Sequence, residues 1–300
     1  MIIETYKLTK QYNGKGGCQD VCLSVSEGQI FGFLGPNGAG KSTFVKTLVG
    51  LLFPTSGKAW LLGRPLGDLE ARKKIGFLPE NFRYHEWMTG YDLLSFHGAL
   101  YKMPPGTVKR RIPEVLELVR LQGFEKQRVG TYSKGMQQRI GMACALLPDP
   151  QLLFLDEPTS ALDPLGRREV REIIMNLSRE GKTVFLNSHL LSEVEAICHQ
   201  VAIINKGRII ASGTIDELLK GAVEVVLKLG NLNPALLAAL ENYGEGLTVE
   251  GSRVTVHLAS KEDIPGLSEL VVKHHGLLYE LTARNSLEEL FVKLVKGEGK

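Results

Sequence analysis

Residues 35–42 read Gly-Pro-Asn-Gly-Ala-Gly-Lys-Ser. Gly35, Gly38 and Gly40 let the backbone curl until several N–H groups face one point, an arrangement that suits phosphate oxygens. A helix beginning near Lys41 would add the positive end of its dipole. Lys41 brings an ammonium for the β- and γ-phosphates, and Ser42 a hydroxyl for Mg²⁺. With Pro36, Asn37, Ala39 and Thr43, the segment is expected to bind a nucleoside triphosphate. Much later, the apolar run 152–155 ends in Asp156-Glu157. Asp156, at the end of a buried strand, is placed to hold Mg²⁺ through water. Glu157, one residue on, can orient and deprotonate an attacking water. The loop alone names no reaction, because kinases, GTPases, helicases and transporters all use it.

The elements that must position these groups follow from hydrophobic patterning. Ile30–Leu34 is a short apolar strand ahead of the loop, and residues 41–51 have helical spacing, with Phe44, Val45, Leu48 and Leu52 on one side. The run 151–155 predicts a strand buried on both faces, as in parallel sheets. Asp163-Pro164 opens a helix that Gly181 closes. Thr183–Asn187 predicts a further buried strand and Leu191–Ile197 a short helix. Residues 201–205 and 208–212 form a hairpin about Lys206-Gly207.

Residues 84–147 form a helical insertion in this α/β core. Thr89-x-x-Asp92 resembles a capping box, and Pro113 must occupy a first helical turn or make a kink. Residues 222–300 alternate differently, as βαββαβ with a last helix, which suggests a small ferredoxin-like α+β module. The expected domains are 1–220 and 221–300.

Further segments carry a family resemblance. They are Tyr132-Ser133-Lys134-Gly135-Met136-Gln137-Gln138-Arg139, Ser160-Ala161-Leu162-Asp163, His189 in Asn-Ser-His, and Tyr12 in Lys-Gln-Tyr. With the two motifs above, residues 2–220 resemble the ATPase subunits of ABC transporters, which have a P-loop NTPase core with a helical subdomain. The resemblance implies that 132–139 is the signature segment, 160–163 the dimer-contact loop and His189 the switch histidine. It also implies that Tyr12 stacks on adenine. Two departures stand out. The common signature is Leu-Ser-Gly-Gly-Gln; here Lys134 and Met136 replace its first glycine and its glutamine, while Ser133 and Gly135 remain. Those two still offer a hydroxyl and a backbone N–H at a helix N-terminus. Glu80, in Phe-Leu-Pro-Glu, stands where many relatives have glutamine. A carboxylate there suits a magnesium-bound water better than a γ-phosphate. Both variants, and the ending Ser286-Leu287-Glu288-Glu289-Leu290-Phe291, resemble the exporter branch whose membrane partners are separate chains.

From the resemblance follow a head-to-tail homodimer on ATP binding, with Ser133 and Gly135 acting in trans and His189 sensing the γ-phosphate. It further implies a separately encoded integral membrane permease and a cytoplasmic, peripheral place on the membrane. Phe82, Tyr84 and Trp87 are expected to line the socket for that partner, or else to pack the helical insertion on the core.

Composition narrows the classes. The 300 residues are 43% hydrophobic and 23% charged, with a net charge of +3, and the basic residues are scattered. That gives no electrostatic case for a nucleic-acid partner. No apolar run approaches the roughly 18 residues that span a bilayer, so a membrane role is expected to come through a partner. Cys18 and Cys22 read as small buried hydrophobes, and with no CxxC pair and no secretory signal at the N-terminus a reduced cytosolic setting is expected. Cys198-His199, His274-His275 and Lys109-Arg110-Arg111 read as solvated surface. The alternative is a soluble ABC ATPase acting on ribosomes or DNA. One cassette and no sustained heptads speak against it.

Overall fold

A computed structural model describes the chain except for residues 161, 221, 222, 285 and 298–300; Ala161 of the expected dimer-contact loop therefore lies outside the described residues. The chain divides into two compact units, Met1–Thr214 and Ile215–Lys300, ahead of the division expected after residue 220.

The first unit runs β1 (Ile3–Tyr12), β2 (Lys15–Val25), β3 (Ile30–Leu34), α1 (Lys41–Leu48), β4 (Ser56–Leu61), β5 (Arg64–Pro65), α2 (Leu69–Arg72) and β6 (Ile75–Leu78). It continues through α3 (Gly90–Leu100), α4 (Pro105–Leu118), α5 (Lys134–Leu146), β7 (Leu152–Asp156), α6 (Pro164–Arg179), β8 (Thr183–Asn187), α7 (Leu191–Ile197), β9 (Gln200–Asn205) and β10 (Arg208–Thr214). Six strands lie in the order β10-β9-β3-β8-β7-β6. All neighbours pair in parallel except β9 and β10. A helix covers each face of β3. On one side Phe44 of α1 stacks on Phe33 with ring centroids 5.0 Å apart, next to Phe185. On the other, a Cβ at Gly32 would come within 2.6 Å of Val194 of α7. Full burial of β3, β7 and β8 explains their unbroken apolar sequences.

The second sheet, β2-β1-β4-β5, is not legible in the sequence. The β1–β2 register shifts three times, and each irregularity breaks the two-residue alternation that marks a strand. Helix α1 stops at Leu48, short of the expected end. Gly50 takes φ 77°, and the N–H groups of Leu51 and Leu52 turn back onto the Lys46 carbonyl, leaving Leu52 outside the helix.

In the helical part, the Thr89 hydroxyl oxygen accepts the Asp92 N–H at 3.1 Å and donates to the Asp92 carboxylate at 2.6 Å. This caps α3 without the reciprocal bond of a capping box. Pro113 lies inside α4, so it does not occupy a first turn. Arg111 departs from the expected solvated triplet. Its guanidinium donates to the Leu146 and Leu147 carbonyls at 3.1 and 3.4 Å and pairs with Glu114 at 2.7 Å. Lys109 and Arg110 are exposed.

The second unit opens with α8 (Ile215–Leu218) and then runs β11 (Val223–Gly230), α9 (Pro234–Tyr243), β12 (Glu245–Glu250), β13 (Arg253–Leu258), α10 (Ile264–Lys273), β14 (Leu277–Arg284) and α11 (Leu287–Gly297). The antiparallel order β12-β13-β11-β14 is the ferredoxin-like arrangement the sequence predicts. Leu236, Leu240, Leu267 and Val271 of the two helices pack with Val225, Leu227, Val254 and Val256 of the sheet. Among the described residues no helix is long and apolar enough to cross a membrane.

Candidate functional site

The phosphate loop leaves the C-terminal end of β3, where flanking strands β8 and β9 hold it from both sides. Its curl comes from two of the three expected glycines. Gly38 has φ 80°, and Gly40 caps α1 with φ 104°, both in the left-handed region glycine tolerates. Gly35 does not turn this way; its need for glycine is steric, since a Cβ there would stand 2.3 Å from the Ile204 carbonyl oxygen of β9. A Cβ at Gly40 would stand 2.1 Å from the Gly17 carbonyl oxygen, and one at Gly17 would stand 1.9 Å from that of Lys10. The loop and the β1–β2 ribbon therefore meet backbone to backbone. The Gly207 N–H, from the β9–β10 turn, donates to the Ala39 carbonyl at 2.9 Å.

Asn37, Gly38, Ala39, Gly40, Lys41, Ser42 and Thr43 line a pocket of about 420 Å³ together with Gly17, Glu80, Glu157 and His189. Gly35 and Pro36, expected to bind the nucleotide, are not among the lining residues. Their carbonyls face inward instead, accepting the Lys41 ammonium at 2.7 and 3.3 Å. Burial lowers the Lys41 pKa, while the charges of Glu157, Asp156 and Glu80 hold it up. The Lys41 ammonium thus lies in the field of all three carboxylates.

Asp156 ends β7 in register with Asn187 at the end of β8. It is 1% exposed, and the Asn187 amide donates to its Oδ1. Burial raises the Asp156 pKa, and Glu80 raises it further. The Asn187 amide, Lys46 and a hydrogen bond from Ser42 oppose them. The Asn187 Oδ1 has no hydrogen-bond partner among the described residues.

Glu157 follows with φ 53°, a left-handed backbone that costs a non-glycine residue on the order of 1 kcal/mol. Its N–H donates to the Asn187 carbonyl at 2.9 Å, which fixes the turn. The carboxylate meets His189 Nδ1 at 2.7 Å. Burial raises the Glu157 pKa, and the neighbouring His189 and Lys41 counter it. The His189 side chain is 48% exposed and Glu157's 7%, so the pair reaches from the protein interior to the pocket mouth.

Other expected site residues lie elsewhere. Tyr12, 50% exposed, stands at the β1–β2 hairpin with the Lys10 ammonium 5.4 Å from its ring centre. Ser133 caps the 13-residue helix α5 by accepting the Met136 N–H at 3.2 Å. Gly135 faces the Leu162 side chain, 3.9 Å from where its Cβ would be. Tyr12, Ser133 and Gly135 are not among the residues lining the phosphate pocket.

The aromatic cluster divides. Phe82 packs on Gly141 and on Tyr84. Tyr84 meets His97 edge-on at 5.6 Å and hydrogen-bonds Cys144. Trp87 alone of the three is exposed, at 68%, beside His85 and the half-exposed Phe96. The packing alternative thus holds for Phe82 and Tyr84.

Two cysteines also differ from expectation. Cys22 is exposed, with its sulfur accepting the Lys7 N–H at 3.2 Å, whereas Cys198 is buried. His199 is exposed, but its Nδ1 accepts the Ile30 N–H at 3.0 Å.

Two functional neighbours escape sequence reasoning. Gly17 carries no local signal for its approach to Gly40. Asn187 does carry one: a polar residue closing an apolar strand, at the same level as Asp156.

Comparison with known proteins identifies the family. A family model described as ABC transporter matches residues 18–160. An uncharacterised ABC transporter ATP-binding protein of Nostoc sp. is 50% identical over 68% of this chain, which spans 60% of that relative's length. A second, from Synechocystis sp., is 38% identical over 99% of this chain and 86% of its own. The Nod factor export ATP-binding protein I of a Rhizobium sp. is 32% identical over 99% of this chain and 98% of its own. A solved dimer of an ATP-binding cassette in a post-hydrolysis state, bound to ADP and Pi, superposes with a TM-score of 0.63 at 26% identity. The match covers 71% of this chain and 98% of that one.

Proposed function

Since this chain belongs to the family of ABC transporter ATP-binding proteins, we propose that it powers export through a separately encoded integral membrane permease, with Glu157 as the general base. The ATPase activity belongs to the family. The observation that carries the residue assignment is the 2.7 Å contact between Glu157 and His189 at the mouth of the phosphate pocket.

In the proposed reaction, backbone N–H groups of the loop and the Lys41 ammonium hold the phosphates. Tyr12 offers an exposed ring for adenine. Glu157 takes a proton from water as the water oxygen bonds to the γ-phosphorus and the bond to the ADP oxygen breaks. His189 steadies Glu157 and the incoming water.

The donor set fits Mg²⁺. Ser42, Asp156 and Glu80 are hard oxygen donors, and among the described residues no three His, Cys, Asp or Glu side chains form a metal cage. Mg²⁺ uses few protein ligands and completes its shell with phosphates and water. When bound it neutralises charge on the transferred phosphate.

Ser133 and Gly135, outside their own chain's pocket, would complete the pocket of a second copy, and the dimeric relative supports that reading. The ferredoxin-like module would be an accessory domain. Export is supported by the name of the Rhizobium relative. The exposed group of Trp87, His85 and Phe96 supports docking to a membrane subunit at the cytoplasmic face.

The test is Glu157→Gln. It should bind ATP as the wild type does, dimerise with it, and hydrolyse it at least about a hundredfold more slowly. Turnover near wild type would overturn the base assignment. A persistent monomer at saturating ATP would overturn the shared site.

A further inference from the structure

We infer that Glu193 is a positioning residue that locks the loop carrying Glu157 to the loop carrying His189. The inference rests on the proposed roles of those two residues.

Glu193 stands in the first turn of α7, which follows His189 almost at once. Its side chain is only 10% exposed. A carboxylate so placed needs partners, and both come from the segment beyond Glu157. The Thr159 hydroxyl, on a residue 2% exposed, donates to its Oε2. Arg167 Nε lies 4.0 Å from its Oε1 and also donates to the Leu162 carbonyl at 3.0 Å. Leu162 is the residue whose side chain faces Gly135.

One buried carboxylate therefore gathers three points. They are the turn after Glu157, the segment against the signature helix, and the helix that starts beside His189. The backbone behind His189 is itself closed, since Leu190 N–H donates to the Ser188 hydroxyl oxygen at 3.1 Å and Glu193 N–H to the Leu190 carbonyl at 3.1 Å. A shift of the Thr159 turn would be passed through Glu193 to His189, and the 2.7 Å contact depends on both loops. Hydrolysis tolerates little error there, because small misplacements of a base and its water are costly.

The experiment compares Thr159→Val, Glu193→Gln, the double variant and Thr159→Ser in the full chain, measuring kcat and equilibrium ATP binding separately. Thr159→Val and Glu193→Gln should each lower kcat about tenfold while ATP affinity stays within about twofold. The double variant should be no slower than the slower single one, since both cut the same link. Thr159→Ser, which keeps the hydroxyl, should keep turnover within about threefold of wild type. Glu193→Gln preserves shape and volume, so it reports even if Thr159→Val proves unstable. Wild-type kcat in both single variants, additive losses, or an equal fall in ATP affinity would overturn the inference. Glu157→Gln run in parallel separates the two readings. If it abolishes turnover while Glu193→Gln leaves kcat intact, only the positioning role fails. If it turns over normally, the base assignment fails and this inference goes with it.

Discussion

Glu157 combines burial at 7% exposure with a proposed role as general base, which needs its ionised form. Burial favours the protonated carboxyl, so its pKa lies above the ordinary glutamate value of 4.5. The base is lost on acidification as pH falls through that raised value. The acid limb of kcat/KM, which reports the free enzyme, should therefore lie above the ordinary glutamate value, and it should be missing from the residual activity of Glu157→Gln; a pH–rate profile of both proteins checks this. Proximity in sequence decided which residues could be recognised beforehand. Residues 37–43 and 156–157 act beside their neighbours in the chain, so their spacing carries the chemistry. Asn187, Gly17 and Glu193 act on partners that only the fold brings near. Gly35 is legible from its motif, but the strand that crowds it and makes glycine necessary lies far along the chain.

Helix α5 illustrates the scale of elements. Its cap, Ser133, sits at the positive end of the dipole, and its far end is held by the Arg111 guanidinium, which donates to the Leu146 and Leu147 carbonyls. Helix ends leave carbonyls without intrahelical partners, and here a side chain of α4 supplies them. Arg111→Ala should lower unfolding free energy by about 1–2 kcal/mol, seen as a lower urea midpoint with an unchanged slope. An unchanged midpoint would mean water replaces the guanidinium without loss. Strands β3, β7 and β8 are readable because burial on both faces makes them uniformly apolar; β6, equally parallel, is too short to stand out. Strands β1, β2 and β4 are not readable. Their bulged, half-exposed pairing gives no steady period, and β1 places Lys7, Lys10 and Gln11 among its apolar residues.

At the scale of the whole chain, the two units have separate cores. Among the described residues, the cluster around β3 runs from Ile2 to Ile209 and the cluster around β11 from Val223 to Leu281. Removing residues 221–300 should leave ATP affinity within about twofold; loss of binding on equilibrium titration would show that the second unit contributes to the nucleotide site. The order of the six-stranded sheet has a further consequence, for biosynthesis. Strand β3 and its phosphate loop emerge from the ribosome early. The strands that flank β3 and the Gly207 N–H that holds Ala39 come near the end of the first unit. Until then Ile30–Leu34 has neither native neighbour, and two open edges on an apolar strand invite mispairing. The nascent polypeptide thus carries its nucleotide motif through much of its translation before it has a nucleotide site, and the site is complete only once β8 and β9 close around β3.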